Sequence, residues 1–178
     1  MDKRTRAIAA VFVLTGAAGL VMSTTKGTAP RCGVVQTPTG RSLRVELASD
    51  GATRARGLSD RDALAVDGLL LEWPDAGRRP VWMAGMRFSV DLGWLDAQDR
   101  VTGVVAHVPL CAGTSCPLVE PASPAPTRAV LEVAAGRAED LGLVPGASVT
   151  HPEALVPCVT PPSPSPLSAH SRAEGGLP

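Results

Sequence analysis

Leu43-Arg44-Val45-Glu46-Leu47 is the stretch that decides the fold, because apolar and charged side chains alternate without a break over residues 43–47. Successive side chains of an extended chain point to opposite faces, so this is a strand with one dry face and one wet one. The same alternation returns at Val90, Leu92 and Trp94 before Asp96. Leu69-Leu70-Leu71, between Gly68 and Trp73-Pro74, is a short continuous apolar run suited to a strand buried on both faces. Val81 to Met86 reads as another strand. Val101–Val108 and Ala129–Val133 are rich in β-branched residues and bounded by Pro or Gly, and Ala147–Thr150 is placed to close the sheet. Only two short helices are expected. Asp50 caps one that runs through Ala52, Arg54 and Arg56 and stops at Gly57; Arg137 to Leu141 forms the other, ending at Gly142. The expectation is a mainly β domain, a small sandwich or barrel of six to seven short strands.

Composition agrees. The chain has 178 residues, 44% hydrophobic, and its 17 basic and 17 acidic side chains cancel. That is material for one domain. Gly and Pro contribute 18 and 17 residues, which argues against a helical bundle, and the apolar fraction is too high for a disordered chain. Charged residues make up 19% and aromatics only 3%, with three Trp, two Phe and no Tyr. A surface built to follow phosphates or stack bases needs more of both, so no nucleic-acid partner is expected.

Residues 1–30 read as a signal peptide or membrane anchor with a polar tether. Lys3, Arg4 and Arg6 precede Ala7 to Ser23, a run without charge, at the short limit for spanning a bilayer. Both a cleaved signal and a retained single-span anchor stand open; the small residues Val21 and Ser23 favour cleavage. Either way the remainder is exported to the cell envelope or beyond. Residues 159–178 are dense in Pro and Ser and are expected to be disordered. The single β domain is then residues 31–158.

Four cysteines in an exported chain predict disulfides. Of the three possible pairings, Cys111 with Cys116 and Cys32 with Cys158 suits the spacing best, since the first two lie five positions apart. A zinc site from His107, Cys111 and Cys116 is the alternative, although such sites favour tighter cysteine spacing and a fourth ligand. No metal and no cofactor are expected.

Six segments, in this order, resemble a known family: Val45-Glu46-Leu47-Ala48, Arg54-Ala55-Arg56-Gly57-Leu58, Gly68-Leu69-Leu70-Leu71-Glu72-Trp73, Trp82-Met83, Asp91-Leu92-Gly93-Trp94-Leu95-Asp96 and Val130-Leu131-Glu132-Val133-Ala134-Ala135-Gly136. Over about residues 42–150 the chain is similar to the domain of unknown function 192 family. The resemblance implies a small, often exported prokaryotic domain of mainly β fold, and it brings no catalytic set. The family commonly reads Trp-Met-Lys-Asn-Thr, where this chain has Trp82-Met83-Ala84-Gly85-Met86, and Ser89 replaces a usual proline. Its Gly-Leu-Met appears here as Gly57-Leu58-Ser59.

Several residues carry candidate chemistry. Asp91, between Val90 and Leu92, is a carboxylate beside an apolar wall, suited to general acid or base work or to a structural pair with Arg54 or Arg56. Those two arginines suit a carboxylate, whether of Asp91, Glu132 or a ligand. Trp73, Trp82, Trp94, Phe88 and Met83 supply the bulk for a core or a pocket wall. His107 is the only histidine well inside the domain, and a trio with Ser115 and Asp91 lacks the nucleophile-elbow motif. Phosphate-cradling loops, His-Glu-x-x-His and calcium loops are absent. The reading is a non-catalytic module that binds a small molecule, a glycan or an envelope partner protein through Arg54, Arg56, Trp82, Met83 and Asp91. The alternative is an envelope hydrolase using Asp91 with Glu132 or His107.

Overall fold

A computed structural model describes residues 30–113 and 115–158, and the expected leader segment and C-terminal tail lie outside them. In chain order the elements are β1 (Arg31–Gln36), β2 (Ser42–Ala48), α1 (Gly51–Arg56), β3 (Gly68–Gly77), β4 (Val81–Trp82), β5 (Val90–Leu95), β6 (Val101–Val108), β7 (Leu118–Val119), β8 (Thr127–Ala134) and β9 (Val156–Pro157). Seven strands form one mixed sheet in the order β6-β5-β8-β3-β2-β1-β9, and β4 pairs with β7 in a separate ribbon. All pairs are antiparallel except β2 with β3. Parallel neighbours cannot be joined by a tight turn. Residues 49–67, including α1, supply the crossover.

The alternation at 43–47 does what it predicts. Leu43, Val45 and Leu47 pack on one face with Leu70, Leu95, Leu131 and Val133, under a lid of Leu141, Leu143 and Val149. The opposite face buries Leu69, Leu71, Val90, Leu92, Trp94 and Val130 beneath Leu58, Val81 and Met83. With both faces covered, β5 is buried at all six positions. Residues 146–150 draw the two sides of the sheet together. Val101 donates to the Ala147 carbonyl at 2.8 Å and Val149 to that of Asp99 at 3.0 Å, while Thr150 donates to Gln36 on β1 at 3.0 Å. One loop thus bonds both to β6 and to the end of β1.

Three expected elements are corrected. Arg137–Leu141 is not a helix but one turn, with Leu141 N–H donating to Arg137 at 3.1 Å and Gly142 N–H to Glu139 at 2.9 Å. Gly136 and Gly142, at φ +82° and +70°, reverse the chain on either side of it. The strand expected over Val81–Met86 stops at Trp82, because Met83–Met86 is a turn closed by Met86 N–H on the Met83 carbonyl. Ala147–Thr150 contributes only a single bridge, Ser148 with Arg100. In turn, β1, β7 and β9 were not expected from the pattern of side chains. Of the two helices, α1 alone is present.

Both expected disulfides are formed. Cys32–Cys158 ties β1 to the end of β9 across 126 positions, and Cys111–Cys116 clips the loop before β7. Two such bonds are consistent with an oxidising, exported environment. Among the described residues no helix is long and apolar enough to cross a membrane. On loop entropy the long bridge stabilises by about 5 kcal/mol at most and the short one by about 2 kcal/mol. Replacing Cys32 and Cys158 together by Ser should lower the unfolding free energy in urea by about 3–5 kcal/mol without reductant present. A change under about 1 kcal/mol would mean that the termini are held by other contacts.

Candidate functional site

The crossover between β2 and β3 builds the site. Asp50 starts α1 by accepting from the backbone N–H groups of Ala52 and Thr53, both at 2.9 Å, while Thr53 Oγ1 accepts in return from Asp50 N–H at 3.3 Å. Gly57, at φ +50°, ends it, with its N–H on the Thr53 carbonyl. Leu58 then drops into the core at 2% exposure. Ser59 Oγ donates to the Ala84 carbonyl at 2.7 Å and Asp60 N–H to that of Gly85 at 2.8 Å. These bonds fasten the Met83–Met86 turn to the crossover. The turn continues β4, whose Val81 and Trp82 face Val119 and Leu118 of β7.

These pieces enclose a cleft of about 490 Å³. Its walls are Leu58, Leu71, Val81, Met83, Met86, Val90 and Leu118, with Trp82, 54% exposed, at the rim. Arg54 and Arg56 border it from α1. Arg54 donates to the carbonyls of Ser49 and Glu72, the latter at 2.8 Å, and lies 5.4 Å over the Trp73 ring. Its charge is spread over carbonyl dipoles and a π face rather than paired with a carboxylate. Arg56 is exposed at the rim.

Glu132 also lines the cleft. Cross-strand register sets Glu46, Leu69, Glu132 and Leu92 in one row on the same sheet face. Only 4% of Glu132 is exposed. Among the described residues its carboxyl accepts no hydrogen bond. Arg61 is the nearby cation, but both of its terminal nitrogens are taken by Glu46, at 2.6 and 2.8 Å. Burial pushes the Glu132 carboxyl up to about 7, and the Arg61 charge offsets only part of that.

Asp91 occupies the other face, since its neighbour Leu92, and not Asp91 itself, stands opposite Glu132. Its Oδ1 accepts from His107 N–H at 2.7 Å and its Oδ2 from Ala138 N–H at 2.8 Å. Burial raises its pKa, but these amides and that of Gly136 outweigh the burial and hold the carboxyl below its ordinary value. The expected pairing of Asp91 with Arg54 or Arg56 is therefore corrected. Asp91 lies outside the cleft, and it clamps β6 to the turn after β8. His107, at φ +52°, reaches Asp91 through its backbone, with its imidazole against Gly136. Asp91 and Glu132 stand on opposite faces of the sheet, and each Asp91 oxygen accepts one backbone N–H. Cys111 and Cys116 are bonded to each other, which removes two of the three zinc ligands considered. Among the described residues no cluster of three or more His, Cys, Asp or Glu converges.

Arg54, Arg56, Trp82, Met83 and Glu132 thus meet at one cleft, and Asp91 and His107 do not. Met86, Leu118 and Ser59 also line it, and none of the three is a site residue in the sequence reading. Leu118 sits in a proline-rich loop with no strand signal, and Ser59, a departure from the family motif, places its hydroxyl on the Ala84 carbonyl.

The model of the domain of unknown function 192 family, described as "Uncharacterized ACR", matches residues 34–151. Among curated proteins nothing matches the chain significantly. A protein of unknown function from Novosphingobium aromaticivorans DSM 12444 is similar in structure at TM-score 0.60 and 25% identity, over 80% of this chain and 100% of that one. A protein from Sinorhizobium meliloti 1021, described as a candidate transcription regulator, is similar at TM-score 0.55 and 24% identity, over 69% and 93%. That second likeness shows the fold alone.

The raised Glu132 pKa makes stability pH-dependent. Between its ordinary value of 4.5 and about 7 the folded protein keeps a proton that the unfolded chain releases. Stability should therefore fall as pH rises through this window, by about 3 kcal/mol, and the fall should vanish in Glu132→Gln. Urea midpoints measured from pH 5 to 8 on both proteins check this. Asp91→Ala should cost about 2–4 kcal/mol, because it leaves buried N–H donors of His107 and Ala138 without acceptors; chemical denaturation measures it.

Proposed function

We propose that this chain, which belongs to the domain of unknown function 192 family, is a binding module that holds a small, largely apolar molecule in the cleft between the sheet, the crossover and the β4–β7 ribbon, without chemical turnover. The observation that carries the reading is the cleft itself, walled by Leu, Val and Met side chains with one buried carboxyl in its lining. A cavity of this size that is apolar, with few polar groups, is the usual form of a small-molecule site. Turnover would need a second acid or a nucleophile beside Glu132. The hydroxyl on the cleft wall, Ser59, is spent on the Ala84 carbonyl. The two disulfides support action outside the reducing cytosol. The half-exposed Trp82 supports a rim that closes over part of a ligand, and the exposed Arg56 of α1 supports a polar contact at the mouth.

The test uses the neutral apolar dye N-phenyl-1-naphthylamine and the full chain. Its fluorescence should rise saturably on mixing. Met86→Trp, which fills the cleft from a wall outside the main sheet, should abolish the rise while leaving the thermal midpoint within a few degrees. Trp82→Ala should weaken the dye about fivefold, the usual worth of one aromatic contact. Dye binding that ignores both changes would place the site elsewhere.

A further inference from the structure

Resting on that reading, we infer that the ligand of the cleft carries a protonated amine on an apolar body, and that the ammonium group is received by Glu132. Glu132 is 96% shielded from solvent, lines the cleft and accepts no hydrogen bond from any described residue, so its carboxyl presents the cleft with an acceptor that no protein donor engages.

Every other charge near it is already used or stands in water. Arg61, from the segment after α1, is gripped by Glu46 of β2 through both terminal nitrogens. Arg54 of α1 is bound to the Ser49 and Glu72 carbonyls, and Arg56 of α1 is exposed at the rim. From β3, β4, β5 and β7 the cleft receives apolar groups, Leu71, Val81, Val90 and Leu118 among them. What Glu132 lacks is a cation that donates N–H to it. An alkylammonium supplies charge and hydrogen bonds together, and such charge-assisted bonds are the strong ones where water is excluded. A hydroxyl leaves the charge unbalanced, and a second carboxylate would be repelled. A metal ion would find one ligand where it needs several.

The experiment compares three probes with one apolar body, hexylamine, hexanol and hexanoate, each displacing N-phenyl-1-naphthylamine from the full chain. At pH 8 hexylamine should bind at least about tenfold tighter than hexanol, with hexanoate weakest. Between pH 8 and pH 5.5 hexylamine should lose about thirtyfold in affinity, because a carboxyl with a pKa of about 7 is mostly protonated at the lower pH and the competent fraction scales the affinity. Hexanol should hold steady. In Glu132→Gln hexylamine should fall to the level of hexanol. The pH series on the unmodified protein decides the matter even if that variant folds poorly. Equal binding of hexanol or hexanoate at pH 8, an affinity for hexylamine that ignores pH, or a dye that binds while no hexyl probe displaces it, would each overturn the amine and leave the apolar site standing. A dye that does not bind at all would remove the site and the amine together.

Discussion

Strands β5 and β8 lie side by side within the sheet, largely covered on both faces, and each carries one buried carboxylate, Asp91 on β5 and Glu132 on β8. Everything else is arranged around how those two charges are handled. Asp91 is answered by amides from two neighbouring elements, so its charge becomes a staple between β6 and the turn after β8. Glu132 faces the opposite way and is answered by nothing of equal strength. A buried carboxyl without a protein donor is costly, and this one lines an apolar cleft.

The cleft exists because β2 and β3 run parallel. That pairing obliges the chain to leave the sheet and return, and the return path lays α1 and Leu58 over the face that holds Glu132. The β4–β7 ribbon completes the enclosure without joining the main sheet, so its packing depends on the crossover bonds from Ser59 and Asp60 and on the Cys111–Cys116 clip just ahead of β7. Core and cleft share residues: Leu71, Val90 and Met83 belong to both.

The parts of the fold that were legible in the sequence are those where burial is one-sided or complete. Residues 43–47, 90–95, 101–108 and 129–133 declare themselves through alternation or unbroken apolar runs, and Asp50 and Gly57 bracket α1 in side-chain terms. Arg31–Gln36 is less readable, since Val34 is 49% exposed and Arg31 and Gln36 carry no strand signal; backbone pairing with β2 holds it there. Arg137–Leu141 looks helical because Ala138 and Leu141 are spaced to face one core, a spacing that one turn satisfies equally well. Arg54, Arg56, Trp82 and Met83, singled out because their chemistry is unusual in so plain a composition, do line one cleft. Asp91 was misread as the partner of an arginine because its true partners are amides, which every residue possesses and no residue type advertises. Glu132 stood out as a charge in an apolar strand, but the lack of a partner for it is a property of three dimensions.

The place of β8 has a consequence for how the molecule is made. It is inserted between β3 and β5, although it follows both in the chain, so neither central strand has its second neighbour until residues 127–134 have been synthesised. Until then two long, apolar edges stand open, the kind that recruit strands from other molecules. Joining the two halves of the sheet must wait until residue 134 of 178 has been made, which favours a chain kept apart from its fellows until β8 arrives.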